Sequence, residues 1–410
     1  GSWLAALLLA RGGSLTWQTS ILAVAALALV LNALLTALWQ LAAASLHSGL
    51  DERQGAPRGP DGPGSSGLYR QPSSGSARGA PSAEECWGAD FGRFKYTGLR
   101  EDLEADAPLP QYSTRPLDIP LPPRLPPAYR AALATLREAV ADLTADGWRT
   151  EDNVLLRFVR ARKGNARQAE VLFREAIDFR RKWGVDTALV DWNLEAYERC
   201  LAPWWLAAGL LGRGLHGQPV ALERLGRCNM SKLYDCLGKE ALQRIDIVHC
   251  QRVAAAMEEY TLQRGGHQLQ CDCIIDMSGF GKDKVSIKSA RVLADLVKGR
   301  NLMGTEMIGH VFVVHAHPTV VFGWGILKRF LDAGTVEKVQ ISKPGKESEM
   351  LLQHMSRDII PEYLGGTRRE RDDPECRIIV GVGGDPPKEA VQRFKDLVSG
   401  RAAATGRRPA

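Results

Sequence analysis

From about residue 128 onward, three amphipathic helical stretches are followed by short apolar runs that alternate with further helical ones. That order leaves few folds open. Short buried strands alternating with helices build an α/β unit around a mostly parallel sheet, and the leading helices add an all-helical piece in front of it. Tyr129 to Leu143 carries helical periodicity. Thr150-Glu-Asp-Asn153 is expected to cap a second helix bearing Val154, Leu155, Leu156, Phe158 and Val159. A third is expected from Ala166 to Trp183, stopping at Gly184, with Ala169, Leu172, Phe173, Ile177 and Phe179 or Trp183 inward. Strands are then expected at 219–223, 271–277, 311–315 and 339–342, and helices at 240–263, 285–298, 319–331 and 348–359.

Ahead of this unit the chain changes character twice. No charged side chain stands between Arg11 and Asp51, and roughly 20 apolar residues suffice to cross a bilayer core. A transmembrane helix is therefore expected at about 20–46 within a hydrophobic segment 1–50, flanked by Trp17 and Trp39. Arg53 and Arg58 after it favour a cytoplasmic face for the C-terminal part of the chain. The expected location is thus a single-pass membrane association, or the cytoplasm if the segment is a cleaved targeting peptide or a misassigned gene start. Residues 51–127 are rich in Gly, Pro and Ser and cannot bury enough apolar surface to offset their ordering entropy, so a linker is expected there. The remaining divisions expected are a helical lobe at 128–185, a larger lobe at 186–370 and a tail at 371–410. The tail carries a strand-like Arg377-Ile-Ile-Val380 and an amphipathic helix at 388–397.

Charge and motif content exclude several functions. The net charge of +6 favours anionic surfaces, but no dense basic run with interleaved aromatics suggests nucleic acid as a partner. The eight cysteines include no CxxC pair; Cys271 and Cys273 share one face of an apolar strand and suit a packed core. Asp276 to Lys284 resembles a phosphate loop but lacks its first Gly and its final Ser/Thr. His249-Cys250 lacks a phosphate-cradling Arg and suits a buried helix face, and Gly381-Val-Gly-Gly384 suits a turn. His310, His315 and His317 cluster about one strand without an evident further metal ligand, so core or pocket-lining roles are expected. No nucleophile–base pair stands out; the chain is not expected to be an enzyme, nor to hold a metal or cofactor.

Leu155-Leu-Arg-Phe-Val-Arg-Ala-Arg-Lys163 resembles the opening signature of the CRAL-TRIO family. Further segments come in that family's order: 216–226 (HGQPVALERLG), 273–281 (CIIDMSGFG), 325–341 (GILKRFLDAGTVEKVQI) and 360–366 (IPEYLGG). The resemblance implies the CRAL-TRIO fold, a helical N-terminal lobe beside a mostly parallel sheet that floors an apolar lipid pocket closed by a gate helix. It implies a carrier that binds one lipid and transfers or presents it at membrane surfaces. A phosphatidylinositol-like phospholipid is the expected ligand; another lipophile, tocopherol- or terpenoid-like, and a lipid-sensing scaffold are the alternatives.

Carried over residue by residue, the resemblance places the lipid head group on Arg162, Lys163, Glu306, Thr335 and Lys338. Two cations can neutralise a phosphodiester, a carboxylate can accept inositol hydroxyls and a Thr hydroxyl can bind a phosphate oxygen. The gate and membrane contact would fall on Val321, Trp324, Leu327, Phe330 and Leu331, beside the basic Lys328 and Arg329. The sequence also departs from the family: Gly304-Thr305 replaces Tyr-Pro, His315-Ala-His317 replaces Asn-Ala-Pro, and Cys271 and Cys273 replace a Ser/Thr pair that helps hold choline lipids. Those last two put phosphatidylcholine in doubt.

Overall fold

The structure is a computed structural model, and it describes residues 116–399 except 123, 206–207, 265–269, 282–283, 285, 329–332 and 371. The expected membrane span at 20–46 and most of the expected linker lie outside the described residues. Among the described residues no helix is long and apolar enough to cross a membrane.

The N-terminal piece is helical. Helix α1 (Pro127–Ala139) begins with Pro in its first turn, where a missing N–H is harmless, and α2 (Ala141–Ala145) continues it after a break at Val140. The single helix expected from 129 to 143 is therefore two. Helix α3 (Asp152–Ala161) starts from Glu151 without a side-chain cap, because the Thr150 hydroxyl pairs with Thr144 at 2.7 Å instead. Helix α4 (Ala166–Trp183) has the expected bounds. Asn165 accepts from the Gln168 N–H at 3.0 Å at one end, and left-handed Gly184 (φ 59°) ends the other. The buried faces of α1, α3 and α4 share one core around Leu136, Leu155 and Phe173, with Phe158 set edge-on to Phe173 at 4.9 Å.

After α5 (Ala188–Asp191) and a π-helical turn (Glu195–Leu201), the sheet begins with β1 (Ala208–Arg213), a strand that the sequence pattern does not announce. It pairs antiparallel with β2 (Pro219–Glu223) through a turn at Gly217. Strands β3 (Cys271–Asp276), β4 (Ile308–Val314) and β5 (Val339–Ile341) then join in parallel, in the order β1-β2-β3-β4-β5. Helix α6 (Met230–Arg264, kinked at Gly238, φ 78°) connects β2 to β3, and α7 (Ile287–Met303) connects β3 to β4. Successive parallel strands laid down in one direction by right-handed crossovers put their helices on one sheet face. Helices α8 (Pro318–Leu327) and α9 (Ala333–Lys338) lie between β4 and β5.

The opposite face is covered by the chain's return. Val220, Leu222, Ile274, Phe312 and Val314 pack there against Leu351, Met355, Ile359, Ile360 and Ile379. The helix expected from 348 to 359 is only α10 (Glu347–Leu351); the residues after it are turns that spread apolar side chains over the sheet. The strand expected at 377–380 is instead a short helix, α11 (Arg377–Val380), whose first N–H is held by the Asp373 carboxylate at 2.8 Å. Helix α12 (Lys388–Val398) then packs Phe394 edge-on against Tyr197 at 5.5 Å.

Candidate functional site

Between the sheet and the α6–α7 layer lies a cavity of about 260 Å³. Its floor is set by strand alternation. Ala221 and Glu223 of β2, and Cys271, Cys273 and Ile275 of β3, point to the face opposite the close-packed one. His249, Cys250 and Val253 of α6 and Val297 and Arg300 of α7 form its roof. Glu306, Ile308 and Lys338 close the end where β4 and β5 begin. Cys271 and Cys273 do share a buried face, as expected, but that face floors a cavity rather than a filled core. Burial raises the Cys250, Cys271 and Cys273 thiols, so they remain protonated and serve as weakly polar wall.

Glu306 and Lys338 form an ion pair at 3.0 Å, each partly buried at the cavity's end. Glu306 holds a left-handed backbone (φ 56°), a conformation that non-glycine residues adopt at a cost in strain of the kind that concentrates at functional positions. Arg162 and Lys163 stand elsewhere, at the end of α3, and neither lines the cavity. Arg162 is buried, bonds the Ala161 carbonyl at 3.2 Å, and has its pKa lowered by burial against a counteracting Glu175. Thr335 has its backbone in α9, while its side chain and that of Leu327, like residues Phe330 and Leu331, fall outside what is described. On α8, Val321 (46% exposed) and Phe322 (59% exposed) face solvent, with Trp324 half-buried, and Lys328 just past the helix end is exposed.

A second set of polar groups, which the sequence did not reveal, sits in the cavity wall. The Arg300 guanidinium donates to Asp246 at 2.8 Å and to both oxygens of Glu223 at 3.0 and 3.2 Å. The His249 ring lies 3.5 Å from Glu223. Burial works to raise the Glu223 carboxyl, but Arg300 and His249 hold it down at about 2. Asp246 is wholly buried, and there burial prevails over Arg300 and raises its pKa. The only local signals were a charge inside the apolar strand Pro219–Glu223 and a histidine on an apolar helix face.

The three histidines expected in core or pocket-lining roles do not line this cavity. His310 Nδ1 lies 3.0 Å from Asp272, and His317 packs near Phe280 with ring centroids 6.4 Å apart. His315 (φ 51°) ends β4 just before α8, with Nδ1 2.9 Å from the buried Asp276. Asp276 also accepts from the Ser278 N–H and hydroxyl at 2.8 and 2.9 Å and from the Tyr363 hydroxyl at 3.1 Å. The hydrogen bond to Asp276 raises His315, with Asp276 and Glu347 adding attraction and burial and Arg227 opposing. Burial works to raise Asp276, but His315 and Ser278 hold it below 3.8. A histidine raised above its unfolded value of 6.5 contributes stability that is complete below that pH and is lost as pH climbs through the raised value. Melting temperature should therefore fall as pH rises from about 6 to 9, and His315→Asn should flatten that slope. Thermal melts of both proteins across that range check it, and parallel curves would refute it.

A family model described as the CRAL/TRIO domain matches residues 206–366. Two proteins of Arabidopsis thaliana are similar: phosphatidylinositol/phosphatidylcholine transfer protein SFH7, 25% identical over 236 residues (57% of this chain, 43% of that one), and its namesake SFH13, 28% identical over 222 residues (53% and 35%). The match thus spans less than half the length of these relatives. The solved structure titled "Crystal structure of Sfh5" covers 67% of this chain and 98% of its own at 10% identity and a TM-score of 0.47, a likeness too loose to bear on the fold. The family match rests on the segment that runs from β1 through the cavity to the glycine pair at 365–366, and that segment is similar to the CRAL/TRIO domain.

Proposed function

We propose that the chain binds a single lipid in the cavity between the sheet and α6–α7 and transfers or presents it at membrane surfaces, with a phosphatidylinositol-type phospholipid as its ligand. The observation that carries this reading is a largely apolar cavity with an anion–cation pair, Glu306 and Lys338, at one end. Each buried CH₂ of a hydrocarbon chain contributes about 0.8 kcal/mol in such a space, close to what a bilayer offers, so exchange with a membrane stays reversible. At the polar end, Lys338 can turn from Glu306 to a phosphate oxygen while Glu306 accepts ring hydroxyls. Arg162, Lys163 and Thr335 belong to this proposal as groups that join when α8 and α9 rearrange around a bound lipid. The gate role of Val321, Trp324, Leu327, Phe330 and Leu331 belongs to it as well. Exposed Val321 and Phe322 beside Lys328 suit a helix that enters the interface of an anionic bilayer as it opens. So does the division into a tether at 51–127, a helical lobe at 128–185, a lipid lobe at 186–370 and a tail at 371–410.

The relatives named as transfer proteins for phosphatidylinositol and phosphatidylcholine support the lipid class. Between those two, the neutral thiols of Cys271 and Cys273 offer a choline lipid little, whereas the Glu306–Lys338 pair suits a hydroxylated anionic head group. Native mass spectrometry with lipid extraction on the full chain should find one phosphatidylinositol per protein. Lys338→Ala should cut its transfer between vesicles at least about tenfold, the loss of one charge-assisted contact, with the melting temperature nearly unchanged. A protein that extracts empty and moves no lipid refutes the reading.

A further inference from the structure

A cavity meant only for hydrocarbon has no use for an arginine in its wall. Arg300 lines this one, and although protein surrounds it, its side chain retains 28% of its exposure. A guanidinium carries five N–H donors. Nε donates to Asp246 and Nη1 to both Glu223 oxygens, while Nη2 lies 2.8 Å from Asp246 as part of the ion pair. At least one N–H of the fork is therefore left over. The carboxylates beside it are fixed: Glu223 is ionised and buried, and Asp246 is wholly enclosed with its Oδ2 unbonded by protein. The cluster therefore cannot release Arg300 without stranding charge, and Arg300 stays in the cavity wall with a donor to spare.

The station is distinct from the pair at the cavity's end. Glu223 stands opposite Ile275 near the C-terminal end of β3, whereas Glu306 precedes Ile308, which stands opposite Cys271 at the start of β3. Four residues of strand at about 3.3 Å each separate those levels along the sheet.

We propose that Arg300 is an interior recognition site for a hydrogen-bond-accepting oxygen carried by the lipid's hydrophobic body, a ketone, hydroxyl or ester carbonyl, so that the cavity selects oxygenated lipids over pure hydrocarbon ones. This inference rests on the reading that the cavity takes a lipid. A neutral acceptor is the chemistry that fits. A further anion would face Glu223 and Asp246, and a further cation would face Arg300. The oxygen has two possible sources, the ester linkage of a phospholipid or the body of a single-chain lipophile, and the donor serves either.

The test uses the full chain and two matched pairs of probes: a long-chain ketone against the alkane of equal length, and ester-linked against ether-linked phosphatidylinositol. A hydrogen bond to a charged donor in a dry site should make the oxygenated member of at least one pair bind about tenfold more tightly. The ketone pair responding identifies a lipophile's own oxygen, and the ester pair responding identifies a phospholipid linkage. In the bound ketone, the infrared carbonyl stretch should shift to lower frequency than in alkane solvent. Arg300→Lys keeps the cation between Glu223 and Asp246 but loses the planar fork, and should reduce both the affinity ratio and the shift. The unmodified protein alone decides the matter should that variant not fold. Equal binding within both pairs and an unshifted carbonyl overturn the proposal while leaving the lipid cavity intact. No binding of any probe overturns the lipid reading and this one with it.

Discussion

Arg300→Met is expected to lower folding stability by about 3–5 kcal/mol at neutral pH, the range for removing one partner of a buried ion pair. The side chains are close in volume, so little of that loss comes from a void. The loss arises because Arg300 is the cation shared by Glu223 and Asp246, both buried and both within 3.2 Å of its nitrogens. Without it, the two carboxyls either stay charged in a medium that solvates them poorly or take up protons. The pH dependence is set by the sign of the shift. In the parent, Glu223 sits at about 2 against an ordinary 4.5, so its contribution is complete above 4.5 and is lost as pH falls toward 2. In the variant, burial without a cation lifts the same carboxyl above its ordinary value, so its contribution opposes folding at neutral pH and fades in acid. The deficit should therefore shrink as pH is lowered toward about 4. Urea titrations of both proteins at pH 7 and near pH 4 measure it. Adding Glu223→Gln to the variant should recover part of the loss, because the two sites share one network. A neutral-pH deficit below about 1 kcal/mol would mean that the cluster is solvated by water in the cavity rather than held by Arg300.

What could be read in advance was what short stretches of chain decide for themselves. Helix α4 was legible to the residue because both ends carry local chemistry: Asn165 as an N-cap acceptor and Gly184 at left-handed φ. The apolar strand β3 and its two same-face cysteines were legible from alternation. Strand β1 was not, because Gly209 and Gly212 break its pattern. Gly209 is there since a side chain would meet the Ile379 carbonyl, a neighbour 170 positions on. Arg377-Ile-Ile-Val380 has strand composition but becomes helical because Asp373 accepts from the Glu375 and Arg377 N–H groups and starts a turn there. At the site, Glu306 and Lys338 were legible through a resemblance of motifs, and the structure sets them 3.0 Å apart. Glu223, Asp246, His249 and Arg300 were not. They come from β2, α6 and α7, and no spacing along the chain announces a contact made across two layers.

Gly366→Ala is expected to destabilise the protein by about 3 kcal/mol, at the upper end for forcing an atom into a packed region. At Gly366 the chain folds back on itself. Its N–H reaches the Pro361 carbonyl at 3.2 Å, Arg368 N–H donates to the Ile360 carbonyl at 3.1 Å, and Glu362 N–H donates to the Arg368 carbonyl at 3.1 Å. A Cβ added at 366 would fall inside the van der Waals envelope of the Ile360 carbonyl, which is backbone and cannot swing aside. Relief would require opening the fold-back, which holds Arg368 where it bonds the Leu211 carbonyl of β1 and keeps Ile359 and Ile360 on the sheet's outer face. Gly325, within α8, supplies the control. Among the described residues nothing stands within 4 Å of where its Cβ would be, so Gly325→Ala should be neutral or stabilising by up to about 1 kcal/mol through helix propensity. Both changes add the same methyl group and remove the same backbone freedom from the unfolded chain. A difference in sign between their denaturation midpoints therefore isolates close backbone approach from propensity, and equal effects at the two positions would show that the fold-back yields more easily than its hydrogen bonds imply.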